Sequence, residues 1–184
     1  MKIKTFFNAT SENGIYEENK HLVDELESII SDIDLRDIIK EYDLVTHGNR
    51  SLAELFKKRL FTLLDSDGDY IFNKTNTGTY SKTTIDENLD FKNRLTYTCR
   101  KNNIYLTFTT DNIGFMENKI FKNLLIIQKN KAAVPVILTI GEDVREIGAW
   151  DPVVITFSIM KQYLQQYELF INFPVILLGI YQED

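Results

Sequence analysis

Residues 90–110 read DFKNRLTYTCRKNNIYLTFTT, and the rest of the chain is organised around them. The runs Arg94 to Cys99 (RLTYTC) and Ile104 to Thr109 (IYLTFT) alternate in character on either side of Arg100-Lys101-Asn102-Asn103. Alternation with period 2 gives a strand one buried face, and β-branched and aromatic residues suit a pleated surface. Lys-Asn-Asn tolerates the positive φ of a tight reversal. The stretch predicts a β-hairpin.

Upstream, Lys2 to Phe7 is a candidate short strand. From Glu17 to Ile30, Leu22, Val23, Leu26, Ile29 and Ile30 recur at spacings of three and four, which predicts an amphipathic helix. Asp24, Glu25 and Glu27 fall mostly off that stripe, on a solvated face. Asp34 is placed to cap a second helix running through Tyr42. Ser51 is placed to cap a third, Leu52 to Leu64, with Glu54 as its capping-box partner. Asp65-Ser66-Asp67-Gly68-Asp69 superficially resembles a calcium loop. The sixth and twelfth positions hold Tyr70 and Asn76 where that loop needs Gly and Glu, so it reads as an acidic turn. Asn73 to Thr84 (NKTNTGTYSKTT) is a long polar loop whose composition suits phosphate or base contacts and plain solvation equally.

Downstream, Phe115 to Lys129 carries Phe115, Ile120, Phe121, Leu124, Leu125 and Ile127 at helical spacing. Ala132 to Ile140 (AAVPVILTI) is a near-continuous apolar run, as expected of a strand covered on both faces. Val153 to Phe170 predicts another helix, with Asp151 as N-cap and Pro152 at its first position. Phe173 to Ile180 (FPVILLGI) predicts a second buried strand. The order predicts an α/β sandwich whose last strands run parallel through right-handed crossovers.

At 184 residues and 43% hydrophobic content, a single domain over 1–184 is expected, with a helical N-terminal part at 1–47 and a core at 48–181. The net charge of −6 weighs mildly against phosphate binding, although local basic patches can still steer it. One cysteine, Cys99, cannot form an internal disulfide. With no long apolar run either, a soluble, cytoplasmic protein without membrane contact is expected. His21 and His47 alone leave no material for a histidine metal cluster or a Ser-His-Asp triad.

The order of elements and several local sequences resemble the PD-(D/E)XK nuclease fold, and within it the type II restriction endonucleases of the BamHI, BglII and BstYI group. Leu89-Asp90 resembles the dipeptide that opens the group's first hairpin strand. Thr107-Phe108-Thr109-Thr110-Asp111-Asn112-Ile113 occupies the place of the second strand's motif, and positions 90 and 107 are 17 apart. Asn118 to Leu125 resembles the long helix that follows, Val136 to Gly141 and Phe173 to Ile180 the later strands, and Leu52-Ala53-Glu54-Leu55 the helix before the hairpin. The likeness spans roughly residues 48 to 181.

The resemblance implies a restriction-endonuclease-like central mixed sheet containing a β-hairpin, flanked by helices on both faces. It also implies a homodimer that hydrolyses duplex DNA at palindromic sites with Mg²⁺. The implied catalytic positions are Asp90, Thr107, Thr109 and Glu54, with Asp90 the metal ligand. The implied DNA contacts are Lys57, Lys58, Arg94, Arg100, Lys101, Lys119 and Lys122. The chain runs only a few residues past its last strand, where the group has further residues for site recognition, so weaker sequence readout is expected.

One departure changes the functional expectation. Thr107 and Thr109 stand where the group has a carboxylate or amide pair, and a neutral hydroxyl cannot offset a divalent charge. Cleavage is therefore expected to be lost or weak, unless the acids have moved to Glu54, Asp86, Glu87, Asp111 or Glu117, or the threonines are introduced substitutions. The alternative is a non-catalytic interaction or accessory protein that uses the same fold to bind a protein partner.

Overall fold

Every residue of the strand Val134–Ile140 is buried, as its near-continuous apolar sequence predicts, and the other layers are arranged around it. In chain order, the computed structural model contains the strands β1 (Lys2–Phe7), β2 (Ile71–Phe72), β3 (Cys99–Lys101), β4 (Ile104–Phe108), β5 (Val134–Ile140) and β6 (Ile176–Tyr181). Its helices are α1 (Ile15–Ser31), α2 (Leu35–Val45), α3 (Leu52–Ser66), α4 (Met116–Lys129), α5 (Glu142–Ile147) and α6 (Phe157–Gln166). It describes residues 1–8, 14–45, 52–66, 70–72, 99–110, 112–147, 150 and 153–182.

The described strands form one sheet in the order β1-β6-β5-β4-β3-β2. β5 runs parallel to β4 and β6, while β1–β6, β3–β4 and β2–β3 are antiparallel. This is the expected mixed sheet. Alternate residues point into different layers. Leu106, Phe108, Val136, Leu138, Ile140, Leu178 and Ile180 share a core with α1, α2 and α3. Ile137, Leu177 and Tyr181 share another with α6 and the start of α4. Helices thus cover both faces.

The hairpin is present, with a shorter turn than expected. Lys101 pairs with Ile104, so Asn102 and Asn103 alone make the reversal, and Asn102 takes the positive φ of 50°. Arg100 and Lys101 belong to the strand because Lys101 is held there: its ammonium is 2.7 Å from Glu25 on α1 and 5.2 Å from the Tyr70 ring centroid. The outer part of the first hairpin strand, Arg94 to Thr98, lies outside the described residues. So do His47, the Ser51 cap, Asp67 to Asp69 of the acidic turn and the loop from Asn73 to Thr84.

The last helix departs from expectation. It begins at Phe157 because Val154 and Thr156 are extended, bridging to Asn112 and Ile140, while Thr139 donates its hydroxyl to the Ile155 carbonyl at 2.6 Å. Asp151 and Pro152, the expected cap, lie outside the described residues. After Gln166 the chain continues as turns, with Phe170 N–H donating to Tyr167 at 2.8 Å. α5 was not anticipated, being a short acidic helix that starts where Gly141 ends β5. β6 starts at Ile176 instead of Phe173, because Asn8 takes up the preceding backbone: it donates to the Phe173 carbonyl at 2.8 Å and accepts from Val175 N–H at 3.1 Å.

Glu142 of α5 ties three elements together. It accepts from Ser158 N–H in the first turn of α6 and from the Tyr181 hydroxyl of β6, both at 2.9 Å. Burial disfavours its charge, but the nearby Thr156 hydroxyl and the Ser158 N–H outweigh that and hold the carboxyl down at about 2. Ser158 is the aligned donor; the buried Thr156 hydroxyl meets no hydrogen-bond geometry among the described residues. A carboxyl held below the usual 4.5 stabilises the fold above that pH, and its contribution fades as pH falls toward 2. Unfolding midpoints of wild type and Glu142→Gln should therefore converge on acidification from about pH 7 to about pH 3. A constant gap between them would contradict this role.

Gly179 sits in β6 against the Phe157 ring, where an added Cβ would lie 2.5 Å from a ring carbon. Gly179→Ala should lower stability by about 1–3 kcal/mol through overpacking, read as a lower urea midpoint. An unchanged midpoint would show that Phe157 gives way freely.

Candidate functional site

β4 sets the geometry of the site. Leu106 and Phe108 enter the core shared with α1, α2 and α3, so period-2 alternation sends Tyr105, Thr107 and Thr109 to the opposite face, the one covered by α4 and α6. Thr109 prolongs the ladder by donating its N–H to the Leu138 carbonyl at 2.9 Å. Both threonines are buried, Thr107 being 4% exposed. The Thr107 hydroxyl has no hydrogen-bond partner among the described residues.

Glu54 lies on the other layer. Phe56, two residues further along α3, stacks on Phe108 with ring centroids 5.5 Å apart. That contact brings the start of α3 to the end of β4, with Glu54 on the exposed side of its helix. The structure therefore joins Thr107 and Thr109 on one face and brings the helix of Glu54 against the opposite one. Asp90, Asp86, Glu87 and Asp111 lie outside the described residues. Glu117 is exposed in the first turn of α4, next to Tyr163, whose hydroxyl is pushed up first by burial and then by Glu117.

The candidate cations separate into two groups. Lys57 is half-buried, with its ammonium 6.0 Å from the Phe108 ring centroid. Lys58 and Arg59 are exposed on the same helix, and Lys119 is half-buried one turn into α4. Lys57 thus lies at the C-terminal end of β4, while Lys119 belongs to α4, the helix that follows β4 in the chain. Lys101 sits at the other end of β4, 13% exposed and bound to Glu25. Arg100, half-buried, pairs with Tyr105 across the hairpin. Arg94 and the side chain of Lys122 lie outside the described residues.

The described residues do not fit a divalent cation. Thr107 and Thr109 offer neutral hydroxyls, and among the described residues no group of three or more His, Cys, Asp or Glu side chains is placed to hold a metal ion. The sequence reading missed Asn123, which is buried at 1% exposure on the inner face of α4. Its signal was present: one amide within the stripe Ile120, Leu124, Ile127.

No family profile and no curated protein matches the sequence. Solved structures do. The restriction endonuclease BglII complexed with a DNA 16-mer superposes with a TM-score of 0.66 at 14% identity, over 100% of this chain and 79% of that one. Free BglII gives 0.59 at 14% identity, over 100% and 81%. The chain thus has a BglII-like restriction-endonuclease fold, as its order of elements implied.

The Lys101–Glu25 pair should carry stability in a way that exposed pairs do not. Lys101→Ala leaves a partly covered carboxylate unpaired and should cost about 1–3 kcal/mol. Lys40→Ala, which breaks an exposed pair with Asp37 at 3.5 Å, should cost under about 1 kcal/mol. Equal denaturation midpoints for the two variants would contradict the assignment.

Proposed function

We propose that this chain is a DNA-binding protein built on the restriction-endonuclease fold, acting as a homodimer, in which phosphodiester cleavage is lost or weak. The observation that carries this reading is the pair of buried neutral residues, Thr107 and Thr109, on the strand after the hairpin turn. Chemistry of this kind relies on anionic oxygens to hold a divalent ion that activates water and stabilises the charged transition state. Two hydroxyls leave Asp90 as the remaining acid of the motif. Any residual hydrolysis would need Mg²⁺ and would be weak.

BglII, whose fold the chain shares, has been crystallised with DNA, and that supports duplex DNA as the ligand here. Lys57, Lys58 and Lys119 near the end of β4, with Arg94, Arg100 and Lys122, are the proposed phosphate contacts. A two-fold dimer would bring two such sets to one duplex and offset the negative net charge locally. A cytoplasmic location fits a lone Cys99 that is buried and unpaired, its thiol pushed up by burial. No helix among the described residues is long and apolar enough to cross a membrane.

A second reading, an accessory protein that binds another protein, is favoured by Leu169 and Phe170, which are 94% and 78% exposed just after α6. Gel shifts on duplex DNA across a salt series separate the two readings. DNA binding predicts an affinity falling with salt at a log–log slope of about −0.9 per phosphate contacted, and Lys58→Ala should reduce that slope by about one contact. A slope near zero would remove the nucleic-acid reading. Supercoiled plasmid incubated with Mg²⁺ or Mn²⁺ should show little or no nicking, and robust cutting that survives Asp90→Ala would contradict the placement of the site.

A further inference from the structure

We infer that Thr107 and Asn123 together hold a buried water molecule between β4 and α4. The inference starts from two orphaned atoms. The Thr107 hydroxyl and the Asn123 Nδ2 are both buried, and neither has a hydrogen-bond partner among the described residues. The side chains are 4% and 1% exposed, so bulk solvent does not satisfy them. A buried donor left without a partner lowers the folded-to-unfolded ratio by roughly tenfold, and retaining two in one layer calls for a ligand.

The topology places the two groups in the same layer, and ideal helix and strand spacing brings them to a similar height. β4 and β5 are parallel neighbours joined through α4, so the helix runs back antiparallel to both strands. Tyr105 on β4, Ile126 on α4 and Ala133 form one small buried cluster, which brings that turn of the helix to that end of the strand. Two residues further along β4, about 6.6 Å, lies Thr107 on the same face. Three residues back along α4, about 4.5 Å, lies Asn123, between Ile120 and Ile127, which pack in the core on that face. The two displacements run in the same direction in space and differ by only about 2 Å.

The donor set selects the ligand. Asn123 Nδ2 donates and cannot coordinate a cation, while the Thr107 hydroxyl both donates and accepts. A neutral oxygen that accepts from the amide and exchanges a hydrogen bond with the hydroxyl satisfies both groups, and buried waters characteristically bridge polar groups that would otherwise lack partners. Water is the ligand that answers both groups as they stand. This inference is independent of DNA binding, so a failed gel shift would leave it standing.

The test is a crystal structure of the wild-type protein at about 1.5 Å, where water oxygens are well defined, together with an NMR search for cross-relaxation between water and the Asn123 side-chain amide. The expected result is one ordered water within hydrogen-bond distance of both side chains. A direct Thr107–Asn123 hydrogen bond with no water between, or a metal ion at that position, would overturn the proposal. In a double-mutant cycle, Thr107→Val and Asn123→Leu should each lower the folded-to-unfolded ratio by roughly tenfold. The double variant should be no worse than the worse single one, since it removes both orphaned groups. Losses that simply multiply would count against a shared water. Should a variant fail to fold, the wild-type crystal and NMR measurements still decide the question.

Discussion

Burial of β5 on both faces is the constraint from which the rest of the structure follows. With β4 and β6 alongside it in parallel, a slip of one residue would exchange every side chain between the two helical layers. The register is therefore fixed, and each residue's layer with it. Phe108 must meet α3, where it stacks on Phe56, and Thr107 must face α4. The parallel connections demand helices that return along the sheet, which places α4 and α6 over the face that the two threonines share. β1 pairs with β6 at one edge, so the N-terminal strand completes the same sheet.

Charge is used unevenly on this scaffold. Glu142 is spent on structure, holding the start of α6 and the end of β6. Lys101 is spent on structure too, fastening the hairpin to α1 through Glu25. At the end of β4, the Lys57 ammonium lies 6.0 Å from the Phe108 ring centroid, beside a strand whose threonines are neutral. The proposed function accordingly treats binding and cutting as separable.

Most of the architecture was legible because it rests on periodicity. The helical stripe of Leu22, Val23, Leu26, Ile29 and Ile30 implies one element with one buried face, and the near-continuous apolar run before Gly141 implies a strand buried on both. The alternation over residues 104–109 implies a strand with one buried face, whereas β4 is buried throughout. Long-range contacts were not legible. Val154 and Thr156 look helical in sequence, yet bridges to Asn112 and Ile140 hold them extended, and no local signal announces those partners. Lys101 has the local sequence of a turn cation, and its partner Glu25 is distant in sequence. The importance of Asn123 depends on a threonine across the layer, a pairing that helical spacing alone does not show. Asp90, on which the expected site depends most, lies outside the described residues.

Under the proposed function, the threonine pair leaves this chain without a working divalent-ion site. Calorimetric titration of Mg²⁺ and of Mn²⁺ into the protein, with and without duplex DNA, measures that most directly. The expected result is no saturable binding of either ion at low millimolar concentration, unchanged by Asp90→Ala. Stoichiometric binding of Mn²⁺ that disappears in Asp90→Ala would contradict it.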